Sequence, residues 1–233
     1  MRSAARAWAA AGALAVATST ALSPAPAAPA EAKPFGLPFA EPPGPATWYM
    51  AQSYGNTVYA YFERGTLYRS GQGMHMGLDL ATACGTVIVA IGDGVVRSVD
   101  GPGGAPPHNL AIDHPEGYVS FYGHLLERPA LAPGQPVRRG DPIALSGDMY
   151  ATCNASPHLH LEIRDASMGS AYNPVEFIDA DWNRLLLLGA SRQDFVRDLD
   201  APRRWQALDD QPPIQFGGPL LNDYARSWPQ AGD

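Results

Sequence analysis

Lysine is almost absent from this chain of 233 residues, since Lys33 is the only one and arginine supplies the other positive side chains. The formal net charge is −7, and the sequence contains no run of basic residues. Proteins that bind nucleic acids neutralise phosphates with clustered Lys and Arg side chains. This composition therefore argues against a nucleic-acid partner.

Long hydrophobic runs are also missing. Arg2 and Arg6 precede an alanine-rich apolar run that ends near Leu22, and Ala25-Pro26-Ala27 follows. This order is typical of a secretory signal peptide, and the run is shorter than the roughly 20 residues that span a bilayer. We interpret residues 1–27 as a signal peptide, with an uncleaved anchor as the alternative. We therefore expect a protein of the cell envelope or the medium, without stable membrane insertion after cleavage.

Cysteine is scarce, with Cys84 and Cys153 as the two examples. An oxidising compartment outside the cytoplasm favours pairing of two such thiols. A bridge would close a loop of about 70 residues and contribute roughly 4 kcal/mol in the chain-entropy account. Two free, buried thiols are the alternative.

The composition divides the rest of the chain. Residues 28–47 are rich in proline and alanine, which suits an extended linker or an arm over the surface. From Trp48 onward, short β-branched and aromatic segments are bounded by turn residues, which predicts a mainly β fold with a compact antiparallel sheet. The candidate strands are Val58–Phe62, Leu78–Leu80, Thr86–Ile91, Val95–Val99, Leu110–Asp113, Tyr118–Tyr122, Pro142–Ser146 and Leu159–Ile163.

The C-terminal part, residues 180–233, has a different pattern. Asp181–Leu188 and Ser191–Leu199 are predicted helices, and Pro202 would end the second. The last thirty residues lack periodicity and are either an ordered wrap or a loose extension. We treat residues 180–233 as a helical and irregular extension of the β domain.

Four of the six histidines fall into one constellation: His75-x-x-x-Asp79, then His124, then His158-x-His160. Zinc enzymes use neutral imidazoles, often with a carboxylate, and keep a spare base close by. On a strand, His158 and His160 would face the same side, and Gly77 would let the chain turn sharply between His75 and Asp79. The pattern predicts a metallohydrolase.

Three motifs around these residues resemble the signatures of the lysostaphin-type zinc metallopeptidases, which are secreted cell-wall endopeptidases of bacteria. The motifs are His75-Met-Gly-Leu-Asp79-Leu, Phe121-Tyr-Gly-His124-Leu and Pro157-His158-Leu-His160-Leu-Glu162. The resemblance extends over roughly residues 48–178. It implies a small antiparallel β-sheet core that opens to a narrow groove, and we assign residues 48–179 to a zinc metallopeptidase domain.

The resemblance also implies the role of each site residue. His75, Asp79 and His160 would bind one Zn²⁺ per chain. His124 and His158 would be catalytic, orienting or deprotonating a water and stabilising the tetrahedral oxyanion, and which of them is the general base stays open. The implied substrates are peptide cross-links of peptidoglycan or other peptides, and we expect a monomer.

Parts of the sequence are compatible with two other functions. A catalytically inactive relative that binds the wall or activates another hydrolase is the alternative, although such proteins typically lose ligands and this chain keeps all five residues. A lipoyl or biotinyl carrier needs a lysine at a hairpin tip, and Lys33 lies in the proline-rich segment. The sequence therefore favours the peptidase.

One stretch departs from the family pattern. Residues 146–156, before the paired histidines, contain Cys153, where the family usually has a run rich in glycine, serine and threonine. Because this loop borders the groove in the family, a Cys84–Cys153 bridge would tie together two walls of the site.

Several polar and aromatic residues stay ambiguous in the sequence. Glu162 would alternate onto the face of His158 and His160, either next to the site or as a surface carboxylate. His108 and His114 are interpreted as solvated or core residues. Six tyrosines either line a groove or pack within the sheet: Tyr54, Tyr59, Tyr61, Tyr68, Tyr122 and Tyr150.

Overall fold

The computed structural model describes residues 32–188 and 208–223. The proposed signal peptide, residues 28–31, the predicted helix Ser191–Leu199 and Pro202 lie outside these ranges. The β-strands of the described residues are β1 (Trp48–Gln52), β2 (Leu78–Thr82), β3 (Val87–Val89), β4 (Gly94–Val99), β5 (His108–Asp113), β6 (Tyr118–Leu125), β7 (Pro136–Val137), β8 (Pro142–Leu145), β9 (His158–Asp165), β10 (Ser170–Tyr172) and β11 (Ile214–Gln215). Their α-helices are α1 (Val58–Phe62) and α2 (Trp182–Leu188).

A large antiparallel sheet dominates the fold, as the sequence predicts. Its strands run in the order β1-β2-β9-β6-β5-β4-β7, while β10 pairs with β9 and β11. Strands β3 and β8 form a separate antiparallel pair. The mainly β architecture is confirmed.

Strand β9 shows how the sequence pattern builds the core and the site together. Leu159, Leu161 and Ile163 are buried in the hydrophobic core. Because successive side chains on a strand point to opposite faces, the residues between them lie on the other face. That face carries His158, His160, Glu162 and Arg164 in a row.

The prediction of a strand at Val58–Phe62 is wrong, because this segment forms α1. Thr57 caps the helix: its side chain accepts a hydrogen bond from the backbone N–H of Ala60 at 3.1 Å. The single turn buries Ala60 and Tyr61. Val and Tyr favour strands on average, but the cap and the burial of these two side chains outweigh that weak preference.

The C-terminal extension returns to the β domain. The predicted helix Asp181–Leu188 is confirmed as α2, and the Asp181 carboxylate accepts from the backbone N–H of Arg184 at 3.1 Å. Further on, Ile214 is buried and pairs with Ala171. Of the two interpretations of the tail, residues 208–223 follow the ordered wrap.

Part of the proline-rich segment also packs on the domain. Phe35 is fully buried and forms a parallel bridge with Ile178, and the ring of Phe39 contacts that of Trp48. An aromatic side chain in the core contributes a large apolar area to stability. The described residues of this segment therefore form an arm over the domain with two aromatic anchors.

No helix within residues 32–188 and 208–223 combines the length and the apolar character needed to cross a membrane.

Candidate metal centre

Sheet register brings His75, Asp79 and His160 together. Asp79 on β2 lies directly opposite His160 on β9. His75 lies three residues before β2, where its backbone pairs with Gly55. His160 Nδ1 is 2.8 Å from Asp79 Oδ1, and His75 Nε2 is 3.2 Å from each of these atoms. We call these three residues the ligand cluster.

Gly77 allows the close approach of β2 to β9 because it has no side chain. A Cβ atom at this position would collide with the backbone carbonyl of Leu161 and with the Glu162 side chain. Its backbone is not in the left-handed region that a sharp glycine turn would use. Gly77 therefore lets β2 and β9 lie close together, which differs from the turn that the sequence suggested.

The outer nitrogen of each histidine in the ligand cluster is held by an oxygen acceptor. His75 Nδ1 donates to the carbonyl of Ser53 at 2.7 Å, and His160 Nε2 donates to Glu162 Oε1 at 2.9 Å. A neutral imidazole that donates through one nitrogen carries a lone pair on the other. In the neutral form that binds a metal ion, each ring would turn its lone pair toward Asp79, an arrangement typical of metal-binding histidines.

This donor set fits a divalent metal ion. The three ligand atoms lie within 4.8 Å of one another, and the residues are buried or half-buried. Two nitrogens and one carboxylate oxygen match the zinc ligands of catalytic sites, which leave a fourth position open. A proton on His160 Nδ1 can form a hydrogen bond to Asp79 at 2.8 Å, while His75 Nε2 lies further from His160 Nδ1, at 3.2 Å. A metal ion could instead bind all three ligand atoms at once.

The charges of the cluster support the same assignment. Burial lowers the pKa of His160, but hydrogen bonds to Asp79 and Glu162 outweigh it and raise the pKa to about 9. Burial opposes ionisation of Asp79, but His75 and His160 hold its pKa well below the ordinary value. Asp79 is thus an anion that attracts a proton or a metal to this point.

His124 and His158 lie beside the cluster, and we call them the histidine pair. Their ring centroids are 4.8 Å apart. His124 Nδ1 donates to the carbonyl of Pro106 at 2.6 Å, and His158 Nδ1 donates to that of Ser156 at 2.7 Å. His158 Nε2 is 3.9 Å from Asp79 Oδ1.

His124 has an unusual backbone and an altered acidity. Its φ of 57° lies in the left-handed region, which histidine occupies more readily than most residues but still at a cost. Burial, together with the nearby His160, lowers the pKa of His124 to about 4. The ring is therefore neutral at pH 7 and able to accept a proton.

A groove with a volume of about 1290 Å³ passes over these five residues. Tyr59, Tyr68 and Tyr150 line it, and Tyr150 is two-thirds exposed. Tyr54 and Tyr122 are fully buried instead. Both functions suggested for the tyrosines are therefore present, with the groove side chains near the site and the packing side chains in the sheet.

The disulfide Cys84–Cys153 is present, as the sequence favours, and it joins two segments whose neighbouring residues Ala83 and Ala155 line the groove. The loop that contains Cys153 is organised around buried Asp148, whose carboxylate accepts from the backbone N–H groups of Tyr150, Thr152 and Ala155 at 2.9–3.0 Å. These hydrogen bonds lower the pKa of Asp148 although burial opposes them. The loop next to the histidine pair is thus held by hydrogen bonds within it and by a disulfide to Cys84 outside it.

Sequence reasoning left Glu162 undecided and missed Arg164. The Glu162 side chain is buried and contacts His160 and Arg164. Burial raises the pKa of Glu162, but the charge of Arg164 dominates and lowers it to about 2. Alternation on β9, followed two residues further, would have indicated Arg164.

The two remaining histidines lie outside the site. His108 contacts the Asp100 carboxylate near the surface, at 3.1 Å. His114 is buried, between the carbonyl of Asp93 at 2.8 Å and the Ser120 hydroxyl at 2.7 Å. Their interpretation as solvated and core residues is consistent with these positions.

The sequence is similar to known proteins and to one family model. Residues 73–174 match the model of peptidase family M23. Over 101 residues the chain is 34% identical to an uncharacterized metalloprotease of Haemophilus influenzae. The aligned region covers 43% of this chain and 20% of that protein. This chain thus spans about a fifth of the length of that relative.

Two solved structures are also similar. A zinc-containing peptidase from Vibrio cholerae has 25% identity and a TM-score of 0.46, covering 64% of this chain and 40% of the other. The catalytic domain of lysostaphin from Staphylococcus simulans has 24% identity and a TM-score of 0.44, covering 56% of this chain and 91% of the other. The match to the model of peptidase family M23 includes the ligand cluster and the histidine pair, so residues 73–174 are similar to the lysostaphin-type metallopeptidases.

Proposed function

We propose that the protein is a zinc-dependent endopeptidase that hydrolyses peptide cross-links of bacterial peptidoglycan outside the cytoplasm. The observation that carries this proposal is the convergence of His75 Nε2, Asp79 Oδ1 and His160 Nδ1 beside a second pair of histidines. A metallopeptidase needs a Lewis acid and a base within reach of one carbonyl group, and a metal ion bound by the ligand cluster beside the histidine pair would offer both.

The ligand cluster would hold the zinc ion. When bound there, zinc supplies a Lewis acid that polarises a peptide carbonyl and lowers the pKa of a water. The contacts from Ser53 and Glu162 keep the two histidine rings oriented for this purpose. The protein thereby fixes the ligand geometry before the metal arrives.

The histidine pair would handle protons and charge. His124 is neutral at pH 7 because burial lowers its pKa, so it can accept a proton from a water that attacks the peptide carbon. His158, whose Nδ1 is held by Ser156, presents the other nitrogen to the same space. A positively charged ring in either position would stabilise the oxyanion of the tetrahedral intermediate.

The groove would bind an extended peptide. Exposed aromatic and apolar side chains line it, among them Tyr49, Tyr59, Leu67 and Tyr150. Such side chains offer contact area to a neutral chain, while the charges of Glu162 and Arg164 are buried and compensate each other. Peptide cross-links of peptidoglycan are the substrate that this proposal names.

Digestion of purified peptidoglycan tests the proposal. The purified chain should release muropeptides whose masses show a cut peptide bond, lose this activity with a zinc chelator, and regain it when Zn²⁺ is added. His108→Ala, which alters a histidine outside the site, is the control and should keep full activity. A protein that binds peptidoglycan without cutting it, with or without zinc, would instead support the inactive wall-binding alternative.

A further inference from the structure

Arg164 is a buried cation beside the proposed active site. It lies on β9, two residues beyond Glu162 and four beyond His160, and its residue surface is 3% exposed. Burying a guanidinium group costs free energy unless its N–H groups are paired. The groups that pair with the Arg164 guanidinium therefore show what this buried charge does in the fold.

The guanidinium makes three hydrogen bonds in a fixed fork. Arg164 Nε donates to Glu162 Oε2 at 2.6 Å, and Nη2 donates to Glu162 Oε1 at 2.8 Å. Nη2 also donates to the backbone carbonyl of Gly103 at 2.8 Å. A planar fork of this kind sets the direction of the carboxylate as well as neutralising it.

Two aromatic rings cover the faces of the guanidinium. Its central carbon is 4.1 Å from the ring centroid of Phe121 on β6 and 4.6 Å from that of Phe216. Phe216 directly follows β11, in the C-terminal wrap. These contacts fix the plane of the guanidinium, so the C-terminal extension contributes to the position of Arg164.

One branch of this arrangement reaches the ligand cluster. Glu162 Oε1 accepts a hydrogen bond from His160 Nε2 at 2.9 Å, and His160 Nδ1 lies 2.8 Å from Asp79 Oδ1. A rotation of the Glu162 carboxylate would change the orientation of the His160 ring. Arg164, which holds both oxygens of Glu162, therefore acts on the ligand cluster through that carboxylate.

The other branch reaches the histidine pair. Gly103 belongs to the loop between β4 and β5, and two further carbonyls of this loop hold His124. The carbonyl of Ala105 accepts from the His124 backbone N–H at 3.1 Å, and that of Pro106 accepts from His124 Nδ1 at 2.6 Å. By holding Gly103, Arg164 constrains the loop that sets the orientation of the His124 ring.

We propose that Arg164 is a positioning residue that joins the two halves of the active site, orienting His160 through Glu162 and His124 through the loop at Gly103. Phe216 assists by covering one face of the guanidinium. The inference rests on the proposed zinc peptidase function, because the geometry it protects is that of the ligand cluster and its neighbouring base.

Arg164→Lys tests this inference, with Arg97→Lys as the matched control. Lysine keeps the charge but lacks the fork, so it cannot hold both Glu162 oxygens and Gly103 together. Arg97 makes similar contacts away from the site, with the Asp113 carboxylate at 2.6 and 2.8 Å and the Ala166 carbonyl at 2.9 Å. Zinc affinity is measured by competition with a chromophoric chelator, and the ¹⁵N signals of the His124 ring report its tautomer.

The expected result is a loss of zinc affinity of about 10-fold in Arg164→Lys, at the lower end of the range for losing a direct outer partner of a metal ligand, because Arg164 acts through Glu162. The His124 signals should move away from those of the Nδ1–H tautomer, and Arg97→Lys should leave both measurements at the wild-type values. Unchanged zinc affinity and an unchanged His124 tautomer in Arg164→Lys would overturn the inference.

A second variant covers the possibility that Arg164→Lys does not fold. Phe216→Leu keeps the guanidinium and its hydrogen-bonding groups but removes one aromatic face, so we expect a smaller loss of zinc affinity in the same direction, and wild-type affinity would count against the inference. The proposed function is judged separately from peptide release by the wild-type chain. A wild-type chain that binds zinc but cuts nothing refutes the function while the comparison of affinities still decides the role of Arg164.

Discussion

The ligand cluster and the histidine pair contain the same kind of side chain but are held in different ways. In the ligand cluster, Asp79 and His160 lie opposite each other on adjacent strands, and the His160 ring is oriented by the buried Glu162 side chain. In the histidine pair, both residues also lie on strands, but their rings are oriented by the backbone carbonyls of Pro106 and Ser156, which lie in loops.

This difference separates two requirements of a metallopeptidase. A metal ion needs ligands at fixed distances, and a sheet supplies them because strand register is locked by many backbone hydrogen bonds. The rings of the histidine pair depend instead on carbonyl groups of loops that border the groove, so a change in these loops can alter the orientation of a base without moving the ligands. The comparison predicts that changes near each group will have separable effects on metal binding and on turnover.

The largest effect is expected at the ligand cluster. Asp79→Asn replaces the central carboxylate with a neutral amide of the same shape, so zinc affinity should fall by more than the roughly 10- to 100-fold cost of losing an outer partner. Peptide hydrolysis should then disappear at ordinary zinc concentrations. Chelator competition and muropeptide release measure the two quantities, and full activity in this variant would refute the ligand assignment.

A change in the histidine pair should affect turnover without removing the metal. His124→Asn suits the left-handed backbone at this position, since Asn tolerates a positive φ, but it cannot act as a base. We expect kcat to fall by about 10²- to 10⁴-fold, the usual contribution of general acid–base catalysis. His158→Ala should behave similarly, and loss of zinc from either variant would contradict the division between the two groups.

The disulfide should support the loop side more than the strand side. Replacing Cys84 and Cys153 together with serine should lower the free energy of unfolding by about 2–4 kcal/mol. Because the neighbouring loop includes Ser156, turnover should decrease, whereas zinc affinity measured well below the unfolding temperature should stay near wild type. A parallel loss of zinc affinity would show that the two groups are not held independently.

The smallest effect is expected at His114, which lies outside both groups. Burial lowers its pKa, so the folded protein binds a proton less readily than the unfolded chain. The stability from this group is therefore complete above the unfolded pKa of about 6.5 and is lost as the pH falls below it. His114→Gln should show a smaller loss of stability than wild type between about pH 7.5 and 5.5, measured by denaturant unfolding with a chelator present. An identical loss in both proteins would contradict this account.

Much of the candidate site could be predicted because its parts follow short-range rules. The alternation of β9 places His158 and His160 on one face without knowledge of the fold. The same alternation places Arg164 on this face, but no sequence motif marks it as a site residue. The carbonyls of Ser53, Pro106 and Ser156 give no signal in the sequence, because every residue has such a group and only the chain path selects three of them.

The one wrong strand prediction and the open alternative for the proline-rich segment have a similar origin. Val58–Phe62 has the composition of a strand, and its helical turn depends on the Thr57 cap and on what Ala60 and Tyr61 contact. Phe35 lies in a proline-rich stretch for which the composition left a linker and a surface arm open, and its buried ring favours the arm. Local propensity is a weak preference, and packing between distant segments outweighs it.

The sequence by itself predicted the mainly β class and the five residues that converge in the structure, and it favoured the pairing of the two cysteines, because these depend on side-chain chemistry and on the two-residue period of a strand. Only the tertiary structure decided which nitrogen of each histidine faces the site, why Gly77 is needed, and that Phe216 reaches Arg164 from the C-terminal wrap. These features depend on atoms that are distant in the chain, and contacts of that kind are set by the packing of the whole domain.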